Sequence, residues 1–268
     1  MRYIVVLFIV ECLVLGSTMT AKLTYENRVP AVVVIQPSDA EFSKTLNESV
    51  EPNSLAALKP ILPFAVLVRN RATQPLIAVV GAYRLKNPAG VDIFQRFYLH
   101  TLDLDPSRIL SPGESALIVP ITWLCKKIDR THVMSINRTD FVWPDRAMFE
   151  SQKSPVVFSI EAVALSDGTT VGPKAAQLVR DLNAFTDAKR DVERGIALRN
   201  GAALEAFLNE MIVAGRGLSV VDRPYEAQRA SMAQMYLHQL KTGGEEDVRS
   251  SANLASKRHV IPTLRSEP

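Results

Sequence analysis

The sequence predicts an α+β protein, with an antiparallel β-sandwich in its first half and a helical region after it. Two patterns carry this expectation. Between about residues 30 and 170, short β-branched apolar runs are divided by Pro, Gly and Asn, with no helical period between them. After Gly172-Pro173, apolar residues recur at steps of three, four and seven. The 268 residues divide accordingly into a leader (1–21), a sandwich domain (22–171), a helical region (172–241) and a polar, flexible tail (242–268).

The leader reads as a secretory signal. Met1-Arg2 precedes an apolar run from Tyr3 to Gly16, and the small and polar residues Ser17 to Ala21 follow it, apart from Met19. The run is shorter than the roughly 20 residues that span a bilayer. Glu11 interrupts it, and Met19 stands poorly at the third position before a cut after Ala21. An uncleaved membrane anchor, or translation from Met19 into a cytosolic product, are the alternatives. No small residue precedes Cys12, so an acylated N-terminus is not expected. With Cys12 removed, Cys125 stands alone in the strand-like run Ile121–Cys125, as a buried small hydrophobe rather than a nucleophile.

The strands follow in order. Ala31–Ile35 is β-branched and stops before Pro37. Ser38 to Pro60 is polar and aperiodic, and reads as a long connection. Phe64–Val68 leads to a turn around Asn70, and Leu76–Leu85 leads to a second turn at Asn87–Gly90. Val91–His100 is dense in aromatics. Leu110-Ser111-Pro112-Gly113-Glu114 places Pro and Gly where a type II turn needs them, ahead of a strand from Ser115 to Trp123. Val156–Leu165 ends at the turn pair Asp167-Gly168.

This order of strands and turns over residues 62–122 resembles bacterial extracytoplasmic immunoglobulin-like sandwich modules of the FxLYD and late-embryogenesis types. The signature that names the first of these is absent. The resemblance implies an architecture and an extracytoplasmic location, and it transfers no functional residue. Modules of this kind serve as spacers, assembly surfaces or binding platforms.

In the second half, Leu178, Leu182, Phe185, Val192 and Ile196 mark one face of a first helix, which Gly195 is expected to weaken or divide by its low propensity. Leu204, Phe207, Leu208, Met211 and Ile212 mark a second helix between Gly201 and Gly215. A third runs from about Pro224 to Lys241, with Asp222 as its cap. A coiled-coil or partner-binding face is the alternative. The stripes are instead expected to pack on one another or on the sandwich, because single-face stripes usually make core and the first does not sustain coiled-coil heptads. Thr242 to Asp247 breaks the third helix, and the residues beyond it show no period.

Composition narrows the chemistry by exclusion. Hydrophobic residues make up 47% and charged residues 22%, as in ordinary globular chains. Residues 22–173 hold 16 basic against 15 acidic residues and 174–268 hold 14 against 12, so neither half is a nucleic-acid surface. Lys126-Lys127 is an isolated pair. His100, His132, His238 and His259 form no two-histidine motif, and no cysteine pair has zinc spacing. His100 with Asp103 and Asp105 is the densest metal-capable cluster, but two carboxylates fall short of a calcium shell. Asp140, Asp145 and Glu150 surround Trp143, with Phe141 and Phe149 nearby, a composition seen at sugar-binding and hydrolytic surfaces. Asp167-Gly168-Thr169-Thr170 lacks the Gly-rich loop and Lys of a phosphate site, and no Gly-x-Ser-x-Gly elbow occurs. Asn47-Glu48-Ser49 and Asn137-Arg138-Thr139 match the glycosylation sequon, a short pattern that arises often by chance.

The expectation is therefore a structural or interaction module outside the cytoplasm, without catalytic, cofactor-binding or metal site, whose partner is another protein. A hydrolase or carbohydrate-binding protein using the acids near Trp143 or the Asp103/Asp105 pair is the alternative. Fractionation of the native host tests the location. The expected product is extracytoplasmic, beginning near residue 22 or retained by its leader; a purely cytosolic chain starting at Met19 overturns it.

Overall fold

The computed structural model describes residues 23–100, 110–120, 125–128, 148–149, 151–152, 154–218, 222–256 and 263–266. The described chain begins with β1 (Leu23–Asn27) and β2 (Val32–Ile35), then two helices, α1 (Ala40–Ser49) and α2 (Pro52–Leu58). A single 3₁₀ turn (Leu62–Phe64) returns it to β3 (Val66–Asn70), β4 (Leu76–Lys86) and β5 (Asp92–His100). Next come β6 (Ser115–Ile118), β7 (Cys125–Ile128), β8 (Val156–Leu165) and β9 (Thr169–Val171). The helices α3 (Ala175–Ala197), α4 (Gly201–Ala214) and α5 (Pro224–Ser256) follow, and β10 (Arg265–Ser266) is the last element described.

The strands form two sheets. The smaller has the order β2-β3-β6-β7 and is antiparallel throughout. The larger has the order β10-β9-β8-β4-β5, with β1 and β9 sharing one edge of β8. It departs from the antiparallel expectation, since β1 runs parallel to β8 and β10 parallel to β9. The cause is long-range return of the chain: no hairpin joins either pair, so nothing forces an antiparallel register.

The sheets lie face to face across one core. Val66 and Val68 of β3, with Ala116 and Ile118 of β6, meet Val79 and Phe158 of the larger sheet. Intervening residues point the other way, where Leu67 and Leu117 pack under Phe42, Leu46 and Leu58 of α1 and α2. Both faces of β3 and β6 are therefore buried, which is why Phe64–Val68 reads as an unbroken apolar run. On the outer face of the larger sheet, α3 sets Leu178 and Leu182 over Ala78, Val80, Ala162 and Ala164. The alanines let a helix approach closely.

Aromatic contacts join the two sheets. Tyr83, 1% exposed on β4, donates its hydroxyl to the carbonyl of Phe64 at 2.8 Å and reaches that of Ile118 at 3.4 Å. Its ring meets Phe158 edge-on at 5.0 Å and Phe149 at 5.7 Å, while Phe97 stacks on Phe158 at 5.5 Å. Gly81 makes room for this stack: a Cβ there would lie 2.4 Å from the Phe97 ring. Asn70 joins the turns at one end of the body. Its buried side-chain amide donates to the carbonyls of Gln74 and Leu110 at 2.9 and 2.8 Å, and its side-chain oxygen accepts the Ala72 N–H at 2.8 Å. The neighbouring Leu110–Glu114 turn has Gly113 at φ 82°, as a type II turn requires.

Three sequence expectations are corrected. Residues 38–60 are not a connection but carry α1 and α2. Half of the α1 stripe (Phe42, Thr45, Leu46, Ser49) is polar, which hides its period. Gly195 does not divide the first helix of the second half. The Phe207 ring lies where a Cβ would stand, 1.9 Å away, so the glycine serves close packing of α4 on α3. Helix α5 begins at Pro224, which puts Arg223 rather than Asp222 at the residue before the helix.

The tail expectation also changes. Gly244 breaks α5, with φ 86° and ψ −176°, but the helix resumes to Ser256 and buries Val248 and Ala252 among Val192, Leu204 and Tyr236. Beyond the break, Glu245 and Arg249 form an ion pair at 2.8 Å that caps two helix ends together. Arg249 donates to the carbonyl of Ile196 at 3.2 Å and to those of Arg199 and the Asn200 side chain, where α3 ends. Glu245 accepts the Gly201 N–H at 2.8 Å, where α4 begins. Each charge sits at the helix end whose dipole it complements. Further on, Leu264 is buried under α3, and β10 fixes residues 265–266 to β9.

Two predictions follow from these contacts. Tyr83→Phe removes the donor to a buried carbonyl and is expected to lower stability by about 1–3 kcal/mol in urea unfolding. The Glu245 carboxyl is held below its ordinary range by the Gly201 N–H and then by Arg249. A depressed carboxyl pKa contributes stability that is present above the unfolded value of about 4.3 and lost as pH falls through the folded one. Glu245→Gln is therefore expected to flatten the acid limb of the unfolding midpoint against pH, with Arg249 left in place.

Candidate functional site

The α1–α2 pair positions an open site. The chain leaves β2 at Gln36, whose N–H donates to the Asp39 carboxylate at 2.8 Å, while the Asp39 N–H donates back to the Gln36 carbonyl at 2.9 Å. This closed turn starts α1 with Asp39 at its cap position. Pro52 opens α2 at its first turn, where a missing N–H costs nothing. An ion pair of 2.6 Å between Glu41 of α1 and Arg69 of β3 helps hold α1 on the sheet.

Between the two helices lies a groove of about 580 Å³. Phe42 and Leu46 are its buried floor, and Leu55, Leu62 and Pro37 are half-buried around them. Ser43, Asn47 and Lys59 are its exposed polar residues. Lys59 is the single charged side chain in this lining. Its size falls within the roughly 300–1,000 Å³ of ligand pockets, and an apolar floor with a few polar groups matches their usual make-up. The groove can hold an apolar body and pair one anionic group with the Lys59 ammonium. Its lining residues include no carboxylate, imidazole or thiol to carry acid–base or nucleophilic chemistry.

Of the sequence-derived candidates that are described, only Asn47 lines this groove. Asp103, Asp105, His132, Asp140, Phe141, Trp143, Asp145, Glu150 and His259 lie outside the described residues, as do Asn137 and Cys12. His100 ends β5, its backbone opposite Ala78, and Cys125 begins β7, opposite Ile118. Lys126 and Lys127 continue β7. His238 is exposed on α5. Phe149 is fully buried, its ring edge-on to Phe64 at 5.2 Å and Tyr83 at 5.7 Å, so it serves the core. Asp167-Gly168 forms the tight turn between β8 and β9, with Gly168 at φ 90° and the Asp167 carboxylate accepting the Thr169 N–H at 2.8 Å. Asn47 of the first sequon stands on α1 at the groove.

Sequence reasoning missed the groove because it assigned residues 38–60 to a connection. A signal was there: Asp39 ahead of Phe42 and Leu46 at i and i+4, then Pro52 ahead of Leu55 and Leu58. Among the described residues, no helix is long and apolar enough to cross a membrane, and no group of three metal-capable side chains converges. Comparison of the chain with family models, curated proteins and solved structures finds no match.

Proposed function

We propose that this protein is a non-catalytic interaction module whose α1–α2 groove receives an apolar segment of a partner protein. The segment carries an acidic residue for Lys59. The observation behind this reading is the groove itself: an apolar floor of buried Phe42 and Leu46 beside one exposed cation. A helix or extended segment laid in such a groove gains affinity from buried apolar anchors and register from one charge pair. The leader pattern in residues 1–21 supports an extracytoplasmic setting. Two sheets across one core support an immunoglobulin-like sandwich as the scaffold, elaborated here by α1, α2 and α3.

Ala56 is exposed on α2 and lines the groove, so changing it leaves the core intact. A photo-crosslinking residue at Ala56, with one at exposed Ser166 as control, is expected to trap a partner segment rich in apolar residues and holding an Asp or Glu. With the photo-crosslinking residue moved to exposed Asn47 of the same lining, Ala56→Arg is expected to cut recovery at least tenfold, and Lys59→Glu, with the crosslinker at Ala56, to do the same. Equal trapping at Ser166, a polar segment, or recovery unchanged in both variants would sink the reading.

A further inference from the structure

A second hollow, of about 160 Å³, opens on the other side of the molecule, on the part of the larger sheet beside the start of α3. The strand registers build it. Arg84 of β4 stands opposite Phe94 of β5 and Val157 of β8. One row along, Ala82 is opposite Arg96 and Ser159, and Ser159 is opposite Glu26 of β1. Phe94 is 57% exposed, and Lys174 at the foot of α3 is exposed in the same lining.

The charges in and around this hollow do not balance. Glu26 accepts from Arg28 at 3.0 Å and from Arg84 at 3.2 Å, and Glu161 accepts from Arg96 at 3.3 Å. Four cationic side chains, counting Lys174, thus meet two carboxylates, both of them already engaged. A guanidinium has five N–H donors in a fork. The bonds to Glu26 use one nitrogen of each arginine, leaving donors for another oxyanion. Ser159 adds a hydroxyl to the lining, and Phe94 with Val157 adds an apolar wall. The volume corresponds to on the order of five waters at ~30 Å³ each.

We propose that this hollow binds a small organic anion, with its oxyanion group on Arg28, Arg84 and Lys174 and its carbon body against Phe94. A cation is disfavoured by the surplus positive charge, and a purely inorganic anion leaves the Phe94 wall unused. The site is independent of the α1–α2 groove and lies on different strands and helices.

Titration calorimetry of the full chain at low salt tests it with phenyl phosphate, inorganic phosphate and benzamidine. Phenyl phosphate is expected to bind more tightly than inorganic phosphate and at least tenfold more tightly than benzamidine, and to weaken as salt rises. Arg84→Gln is expected to weaken it roughly tenfold or more, the usual loss of a charge-assisted hydrogen bond. Arg28→Gln, at a side chain 66% exposed, repeats the test where folding is not at stake. Phe94→Ser is expected to close the gap between phenyl phosphate and inorganic phosphate. Benzamidine binding as tightly as phenyl phosphate, affinity unchanged in both arginine variants, or no binding of phenyl phosphate overturns the proposal. An acetyl-Phe-Glu dipeptide separates the sources of the anion: tighter binding than phenyl phosphate assigns it to a protein carboxylate, weaker binding to a free small molecule, and either result supports an anion site.

Discussion

The structure depends on the contact that crosses its central core, the Tyr83 hydroxyl of the larger sheet on the Phe64 carbonyl that leads into the smaller one. A sheet-to-sheet interface of aliphatic side chains alone is non-directional, so it sets spacing more firmly than register. The Tyr83 bond adds direction at a buried position, where a lost partner is costly. Around it, Phe64, Phe97, Phe149 and Phe158 meet edge-on or stacked, and Gly81 leaves the space their rings occupy. Adding one methyl at Gly81 would push against Phe97 and the Ser159 carbonyl together.

From that core the layers follow. Each sheet has a second apolar face, and each face recruits its own helices: α1 and α2 over the smaller sheet, α3 over the larger. This arrangement places both candidate sites. The groove exists because two short helices lie side by side on the sheet without filling the space between them. The charged hollow exists because α3 covers only part of its sheet face and leaves Arg84, Arg96 and Phe94 uncovered by it. Helix α3, 23 residues and so about 34 Å long, also links the sheets to the helical cluster, with Phe185 packed against both. The Glu245–Arg249 pair then fixes the corner where α3 ends and α4 starts.

Much of this was legible beforehand and some of it could not be. The stripe Leu178-Leu182-Val192-Ile196 announced α3, and Pro112-Gly113 announced its turn, because both signals are local. Helix α1 was hidden by Thr45 and Ser49, polar residues that are nonetheless buried on its inner face. Strand β1 was missed since polar Thr24, Glu26 and Asn27 leave Leu23–Asn27 without an apolar run, and its pairing partner is more than 130 positions away. The helical turns after Gly244 looked like tail because Glu245, Glu246 and Asp247 mask a stripe of only Val248 and Ala252. The acids around Trp143 attracted notice by composition, whereas Lys59 and Arg84 stood in sequence surroundings with nothing to mark them.

The amino-acid sequence by itself determined the division into a strand-rich first half and a helical second half, the main turns, and the near-balance of charge in each half. Those properties depend on residues within a few positions of one another, or on a simple count. Only the tertiary structure decided which strands are neighbours, that β1 and β10 pair in parallel, and that helices cover both outer faces. It alone placed Lys59 over an apolar floor, and Arg28, Arg84 and Lys174 around one hollow. Their separation along the chain is long, and proximity across such distances comes from the burial of apolar faces, which no local pattern records.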